Sequence, residues 1–332
     1  TAIDPPTPKE EGAAREKNDA RVVGQGIRMH RLYTIPVETG CQARELTIGE
    51  TSVGVGDNPT PYDWSPDSTS IAFTQTRTPS WDDWPSAGIS LVDVDSRVVR
   101  PLLCAEAAAI DPHVSPDGRW VACKVYDHPA WEWSSVACLV PVDGGPARPL
   151  AATYDRRPDL LGWSADGSKL YYAESFGTRV RLGALPIDGR SPKVLYEPDG
   201  VISQAALNQK RTTLGFVLEG PCRPPEVYTS GLDTLSSVQV SRTNQDFCDL
   251  PLGHTEVIRW TSVDGLEIEG LLTYPIGYEP GTRYPLLLSI HGGPASVFVQ
   301  DFIGRPSIYG ALAAFSEHGY AVLRCNVRGS TG

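Results

Sequence analysis

A Ser-Pro-Asp-Gly type of turn recurring about every fifty residues confines this chain to a repeat architecture. Tyr62-Asp63-Trp64-Ser65-Pro66-Asp67 leads into Ile71-Ala72-Phe73, and Pro112-His113-Val114-Ser115-Pro116-Asp117-Gly118 leads into Trp120-Val121-Ala122. Leu161-Gly162-Trp163-Ser164-Ala165-Asp166-Gly167 leads in the same way into Leu170-Tyr171-Tyr172. Asp67 and Asp117 stand 50 residues apart, and Asp117 and Asp166 stand 49 apart. A degenerate fourth copy runs from Leu207-Asn208-Gln209-Lys210 into Leu214-Gly215-Phe216. In each copy two apolar stretches flank a turn in which Pro pre-sets φ, Asp can bond nearby backbone and Gly accepts a left-handed conformation. That is hairpin chemistry.

A second pattern interleaves with the first. Arg31 to Gly40 reappears as Ile89 to Ser96, Ala137 to Gly145, Leu182 to Gly189 and Glu226 to Thr234. Each copy alternates apolar and polar residues, turns at an Asp- or Gly-rich dipeptide, and regains a strand such as Arg148-Pro149-Leu150. Two hairpins per period make one four-stranded blade, so the repeat predicts an all-β propeller over residues 1–250 with about five blades visible. Burial statistics assign Trp64, Trp120 and Trp163 to the blade cores. A Pro-, Ser- and Trp-rich insertion from Thr76 to Ala87, together with Trp131 and Trp133, is expected to overhang a pocket. Residues 1–24 lack alternation and read as an entering segment.

After Leu250 the grammar changes. Glu256 to Trp260 and Leu266 to Leu272 flank Asp264-Gly265, a strong hairpin signal. Tyr284-Pro285-Leu286-Leu287-Leu288-Ser289-Ile290 is a continuous apolar run, which predicts a strand buried on both faces. It ends in His291-Gly292-Gly293-Pro294. A helical stretch from Ile308 to His318 follows, with Gly319 placed as a C-terminal cap, and then a strand from Tyr320 to Arg324. Hairpin, strand, helix, strand is the opening of an α/β domain, here over residues 251–332. His291-Gly292-Gly293-Pro294 carries the chemistry. Ligands of open α/β sheets bind at the carboxyl ends of strands. Glycines there let backbone N–H groups approach and donate to a developing oxyanion, as in the HGGG-type loop of α/β-hydrolases.

These segments, with Gly253 to Trp260 and Asn326-Val327-Arg328-Gly329-Ser330-Thr331-Gly332, resemble the prolyl oligopeptidase family of serine peptidases. Within it they look most like the acylaminoacyl-peptidase and dipeptidyl-peptidase-like branch, and the Ser-Pro-Asp-Gly repeats match that family's N-terminal propeller. The resemblance implies a seven-bladed propeller over an α/β-hydrolase domain. It implies Ser-His-Asp acyl transfer on short peptides, with the propeller gating access. Gly292 and Gly293 would then supply backbone donors of the oxyanion hole, and His291, where some relatives carry a tyrosine, has an open role. No Gly-x-Ser-x-Gly elbow occurs in the 332 residues. The nucleophile, Asp and His of the triad are therefore expected outside this chain, which is read as truncated at both ends and inactive alone. His318 is placed at a helix C-terminus, where its charge would suit the dipole.

Composition narrows the rivals. A net charge of −11 leaves no excess of Lys and Arg for phosphates, which excludes nucleic acid as a partner. No apolar run reaches membrane-spanning length. Seven scattered cysteines without metal-ligand spacing read as buried apolar residues of a reducing, cytoplasmic compartment, and no metal or organic cofactor is implied. Asn58-Pro59-Thr60 is blocked as a glycosylation acceptor by its proline. The expected partners are short peptide substrates and the remainder of the catalytic domain, and a homo-oligomer is compatible with every feature. A non-catalytic propeller that binds peptides and a carboxylesterase are the alternatives. The buried strands and glycine loop oppose the first, and the repeat opposes the second.

Overall fold

The computed structural model describes the chain except residues 19, 21, 23, 55–61, 105, 130–133, 234, 294 and 305–311. Trp131, Trp133, Asn58-Pro59-Thr60, Pro294, Thr234 and the first part of the expected Ile308 to His318 helix lie outside the described residues. The chain forms two compact units, Thr1–Leu150 and Ala151–Gly332.

In the first unit, the entering segment holds a short helix, Pro8–Arg15. Thr7 and Glu10 cap it reciprocally, a capping box written in Thr-Pro-Lys-Glu. The expected first copy of the second motif is only a two-stranded ribbon, Tyr33–Thr34 with Arg44–Glu45. Sheet A follows, with Ser70–Thr76, Gly88–Asp93 and Val99–Leu103 paired in order and both Ser52–Val53 and Tyr62–Trp64 bonded to Ser70–Thr76. Sheet B is an up-and-down antiparallel meander of Ala109–Val114, Trp120–Tyr126, Ser135–Pro141 and Arg148–Pro149. Ala72, Ile89 and Leu91 of sheet A pack with Val121, Cys123 and Val140 of sheet B. Neighbouring sheets thus cover faces that neither could bury alone.

The second unit repeats the plan. Sheet C comprises Asp159–Trp163, Lys169–Phe176, Arg179–Pro186 and Lys193–Tyr196, and sheet D comprises Val201–Leu207, Thr213–Gly220, Arg223–Gly231 and Ser237–Gln239. Ala173 and Leu182 of C meet Ile202, Leu214 and Phe216 of D.

The recurring turn is built identically in sheets A, B and C. Ser65, Ser115 and Ser164 each donate a hydroxyl proton to the carboxylate two residues on, at 2.6 Å in all three. Each serine oxygen also accepts the backbone N–H five residues on, from Ser70, Trp120 and Lys169 at 2.9, 2.9 and 3.1 Å. The left-handed position is Gly118 in B and Gly167 in C, at φ +69° and +67°, and Ser68 in A, at φ +61°. In the degenerate fourth copy Asn208 takes over, accepting from Thr212 and Thr213 N–H, and Arg211 occupies the left-handed position at φ +55°.

Trp163 is 1 % exposed, as expected, but Trp64 is 41 % exposed and Trp120 half-buried. Trp64 and Trp163 both stand just before the turn serine, so their register is the same and the difference lies in how much neighbouring structure covers each. In the Thr76 to Ala87 insertion a short 3₁₀ helix, Trp81–Ser86, buries Trp84 against Tyr126, with ring centroids 5.2 Å apart, while Trp81 stays exposed. The seven cysteines carry no disulfide, and Cys123 and Cys138 are buried as expected. Cys104, Cys222 and Cys248 are exposed, so the cysteines are not uniformly core residues.

The terminal sheet pairs Thr255–Thr261 with Glu267–Thr273 around Asp264-Gly265, with Gly265 at φ +86°. Ala321–Asn326 joins Glu267–Thr273 antiparallel, and Leu286–Ile290 joins Ala321–Asn326 parallel. The helix Ala313–Glu317 ends at His318, the expected cap position. Gly319 N–H bonds Ser316 O, Tyr320 N–H bonds Phe315 O, and the Phe315 and Tyr320 rings meet edge-on, which completes a Schellman closure. The Leu286–Ile290 strand departs from expectation. It lies at the sheet edge, and Leu286, Leu288 and Ile290 are 58, 54 and 54 % exposed.

Candidate active site

Leu286–Ile290 runs parallel to Ala321–Asn326, so both strands deliver their following loops to the same sheet edge. The first loop begins with His291, Gly292 and Gly293, and the second runs through Val327 to Gly332. Gly292 and Gly293 are exposed. Gly293 has φ +152°, and a Cβ there would stand 3.0 Å from both the Ala295 nitrogen and the Ser296 Cβ, so a side chain would crowd the loop.

The two loops are stitched together. Thr331 N–H donates to Ser296 O at 3.0 Å. Asn326 accepts Phe298 N–H at 2.7 Å and returns a bond from its amide to Phe298 O at 3.1 Å. Arg324, 3 % exposed, donates to Asp301 at 2.6 Å and to Val299 O at 3.3 Å. Its side chain therefore holds the later part of the glycine loop against the neighbouring strand.

Sheets C and D hold the other side. Gln300 N–H donates to Thr178 O at 2.7 Å, and Phe302 N–H donates to Glu219 at 3.0 Å. The residues leading into sheet C contribute two more bonds, from Arg157 to Ala295 O at 3.0 Å and from Gly332 N–H to Asp155 at 2.7 Å. Beside this junction opens a cleft of about 540 Å³ lined by Tyr154, Phe176, Arg179, Arg259, Glu269 and Gln300 among others. Burial first, then the carboxylates of Glu174 and Asp159, raises the Asp155 carboxyl to about 6 against the opposing pull of the Gly332 amide and Arg157.

His291 has a defined setting. Its Nε2 lies 2.9 Å from Ser330 Oγ and its Nδ1 lies 3.0 Å from Gly292 O. Ser330 Oγ also lies within hydrogen-bond distance of Val327 O, at 2.6 Å. A carbonyl can only accept, whereas a hydroxyl can donate or accept. With one N–H on a neutral ring, one nitrogen can donate and the other can accept from the Ser330 hydroxyl, and in either tautomer His291 braces the two loops. Ser330 stands in Arg328-Gly329-Ser330-Thr331-Gly332, which is not the Gly-x-Ser-x-Gly setting of a nucleophile elbow, so the pair is read as a brace between the loops. The other histidines with described contacts have separate settings: His30 in a strand, His113 beside Asp111, His254 stacked on Tyr274 and His318 at a helix end.

The expected trio of His291, Gly292 and Gly293 thus sits in one loop at a strand's carboxyl end. Asp155, Arg157, Thr178, Glu219, Asp301 and Asn326 are not marked as site residues by the sequence. Their partners lie 23 to 177 residues away along the chain, and no local pattern points to them.

The fold and the site together define a β-propeller plan leading into the sheet that carries the glycine loop. No protein-family model matches the chain. Among solved structures it is similar to a puromycin-hydrolysing peptidase of Mycobacterium tuberculosis, with TM-score 0.61 and 18 % identity, covering 87 % of this chain and 44 % of that one. It is also similar to dipeptidyl peptidase 4 of Porphyromonas gingivalis, with TM-score 0.55 and 16 % identity, covering 87 and 54 %. These neighbours share a propeller-plus-hydrolase fold. In sequence it is 25 % identical over 303 residues to dipeptidyl-peptidase 5 of Trichophyton equinum and 26 % identical over 303 residues to that of Trichophyton schoenleinii. Each alignment covers 84 % of this chain and 40 % of the relative, so the chain spans well under half the length of the curated relatives it matches. Its sequence relatives are dipeptidyl-peptidases, and the solved peptidases it is similar to support a prolyl oligopeptidase type of fold.

Proposed function

We propose that this chain supplies propeller blades and the oxyanion loop of a serine peptidase that releases dipeptides from the amino ends of short peptides. The observation that carries this is the glycine loop at the carboxyl end of Leu286–Ile290, clamped by Ala321–Asn326 in a chain whose relatives are dipeptidyl-peptidases. In this reading the Gly292 and Gly293 amides donate to the tetrahedral intermediate formed when a serine attacks the scissile carbonyl, and His291 fixes their orientation through Ser330. On the same reading the nucleophile and its Asp and His partners lie in a complete polypeptide of which this chain is a part, as its 40 % cover of the curated relatives supports. There the propeller has seven blades, lies over an α/β-hydrolase domain beginning near residue 251, and admits only short peptides. Cytoplasmic residence rests on the cysteine pattern alone.

The test is hydrolysis of dipeptidyl amides by the complete polypeptide, compared with amino-acylated and internally blocked peptides. Release from free-amino dipeptidyl amides, lost on blocking the amine, is expected. Turnover only of simple esters would replace this reading with the carboxylesterase one. Gly293→Ala keeps its N–H but displaces the loop, so kcat is expected to fall by about 100-fold with KM nearly unchanged.

A further inference from the structure

We propose that Asp155 and Arg157 are positioning residues that hold the oxyanion loop from the propeller side. The inference deepens the reading above and rests on it. Arg157 Nη1 donates to Ala295 O, two residues beyond Gly293, at 3.0 Å. Asp155 accepts Gly332 N–H, from the second loop, at 2.7 Å. The loops are joined to each other by Thr331 N–H to Ser296 O and by the His291–Ser330 contact. A closed ring results, running from Asp155 through Gly332, Ser330, His291 and Ala295 back to Arg157.

The clasp is anchored at its base. Asp155 N–H donates to Glu174, which also pairs with Arg181 at 2.9 Å. The Arg181 guanidinium lies 4.0 Å from the Phe176 ring centroid and 5.1 Å from that of Tyr154, and the two rings meet edge-on at 4.8 Å. Tyr154 is thereby fixed to sheet C immediately before the clasp. Between the two clasp residues Arg156 takes φ +52°, a conformation that side chains other than glycine seldom adopt and that persists where surrounding structure enforces it. Gly332 completes the fit, since a Cβ there would lie 2.5 Å from Gly177 O and 3.2 Å from Val297.

An oxyanion donor acts only when it is held in place before the charge develops, and displacements of about 1 Å can cost on the order of 100-fold in rate. Freeing Ala295 O and Gly332 N–H should therefore weaken the transition state more than substrate binding. The groups facing the Asp155 carboxyl are Glu174 from sheet C, Arg157 and Asp159 from its own segment, and the Gly332 amide from the second loop. An asparagine keeps the acceptor for Gly332 without the charge, so Asp155→Asn separates positioning from ionisation.

The experiment compares Arg157→Ala, Arg157→Lys, Asp155→Ala and Asp155→Asn in the complete polypeptide. It reads kcat and KM on a dipeptidyl amide, the rate of phosphonylation by a fluorophosphonate, melting temperature, and hydrogen exchange of the amides of Gly292, Gly293, Ala295 and Ser296 in the 292–296 loop. For both alanine variants kcat and the phosphonylation rate are expected to fall about tenfold or more, with KM within about threefold and faster exchange at 292–296. Asp155→Asn should retain wild-type kcat, and Arg157→Lys should recover part of it. Alanine variants with unchanged kcat, or a loss confined to KM, would overturn the proposal while wild-type turnover leaves the peptidase reading intact. A wild type that neither turns over nor labels overturns both. Should an alanine variant fail to fold, the asparagine and lysine variants and the exchange of 292–296 decide.

Discussion

Single side chains decide how the recurring turns close. The Ser–Asp pair is legible from its spacing, because a serine two residues before an aspartate can meet it only through a tight turn. Its left-handed position is legible where glycine fills it and silent where Ser68 or Arg211 does. Both should carry strain that glycine relieves, so Ser68→Gly and Arg211→Gly are each expected to stabilise the chain by about 1 kcal/mol in urea unfolding. Gly118→Ala and Gly167→Ala should destabilise it by a similar amount. Asp111, at φ +62° in a bulge of sheet B, is another such position. Burial pushes its carboxyl up, but His113 at 3.2 Å and Lys124 at 3.3 Å outweigh that and bring it to about 2. Its folded value is depressed, so its contribution of roughly 2 kcal/mol is present above about pH 4 and is lost as pH falls towards 2. The Asp111→Asn variant should lose that acid-side dependence in unfolding titrations, and it should be less stable at neutral pH. Asp155 has the opposite sign. Its raised value favours the folded state at low pH, and that advantage fades as pH rises through 6. The melting temperature of Asp155→Asn should therefore change less than that of wild type between pH 5 and 7.

At the scale of elements, what is written within ten residues is readable and what crosses a hundred is not. The Asp264-Gly265 hairpin and the Gly319 helix end follow from local φ requirements, and both are present. The glycine loop is readable as a motif. Its supports are not, because Arg324, Asp301, Asn326, Thr178 and Glu219 are ordinary polar residues until the fold brings them together. The Leu286–Ile290 run shows the limit of hydropathy, since an apolar run says what a strand could bury and not what covers it. The Arg324–Asp301 pair is the strongest test at this scale. Both side chains are buried, so Asp301→Ala leaves an uncompensated guanidinium and should cost about 3–5 kcal/mol in equilibrium unfolding. A loss below 1 kcal/mol would show that Arg324 reaches water or another acceptor.

Along the whole chain, the fifty-residue period suffices to identify repeated antiparallel sheets, because two hairpins per repeat make one blade. The period is less informative at the start of the chain, where Arg31 to Gly40 matches the motif yet builds only a two-stranded ribbon. A strand pattern states which residues can pair, while the partner strand must come from elsewhere. The central claim is that the glycine loop belongs to a working serine peptidase. The most direct measurement is to isolate the polypeptide from its natural source, treat it with a fluorophosphonate, and follow both intact mass and turnover of a dipeptidyl amide. A single serine adduct formed in step with loss of turnover is the predicted result. An unlabelled polypeptide with no turnover would contradict the account and make the propeller a binding module.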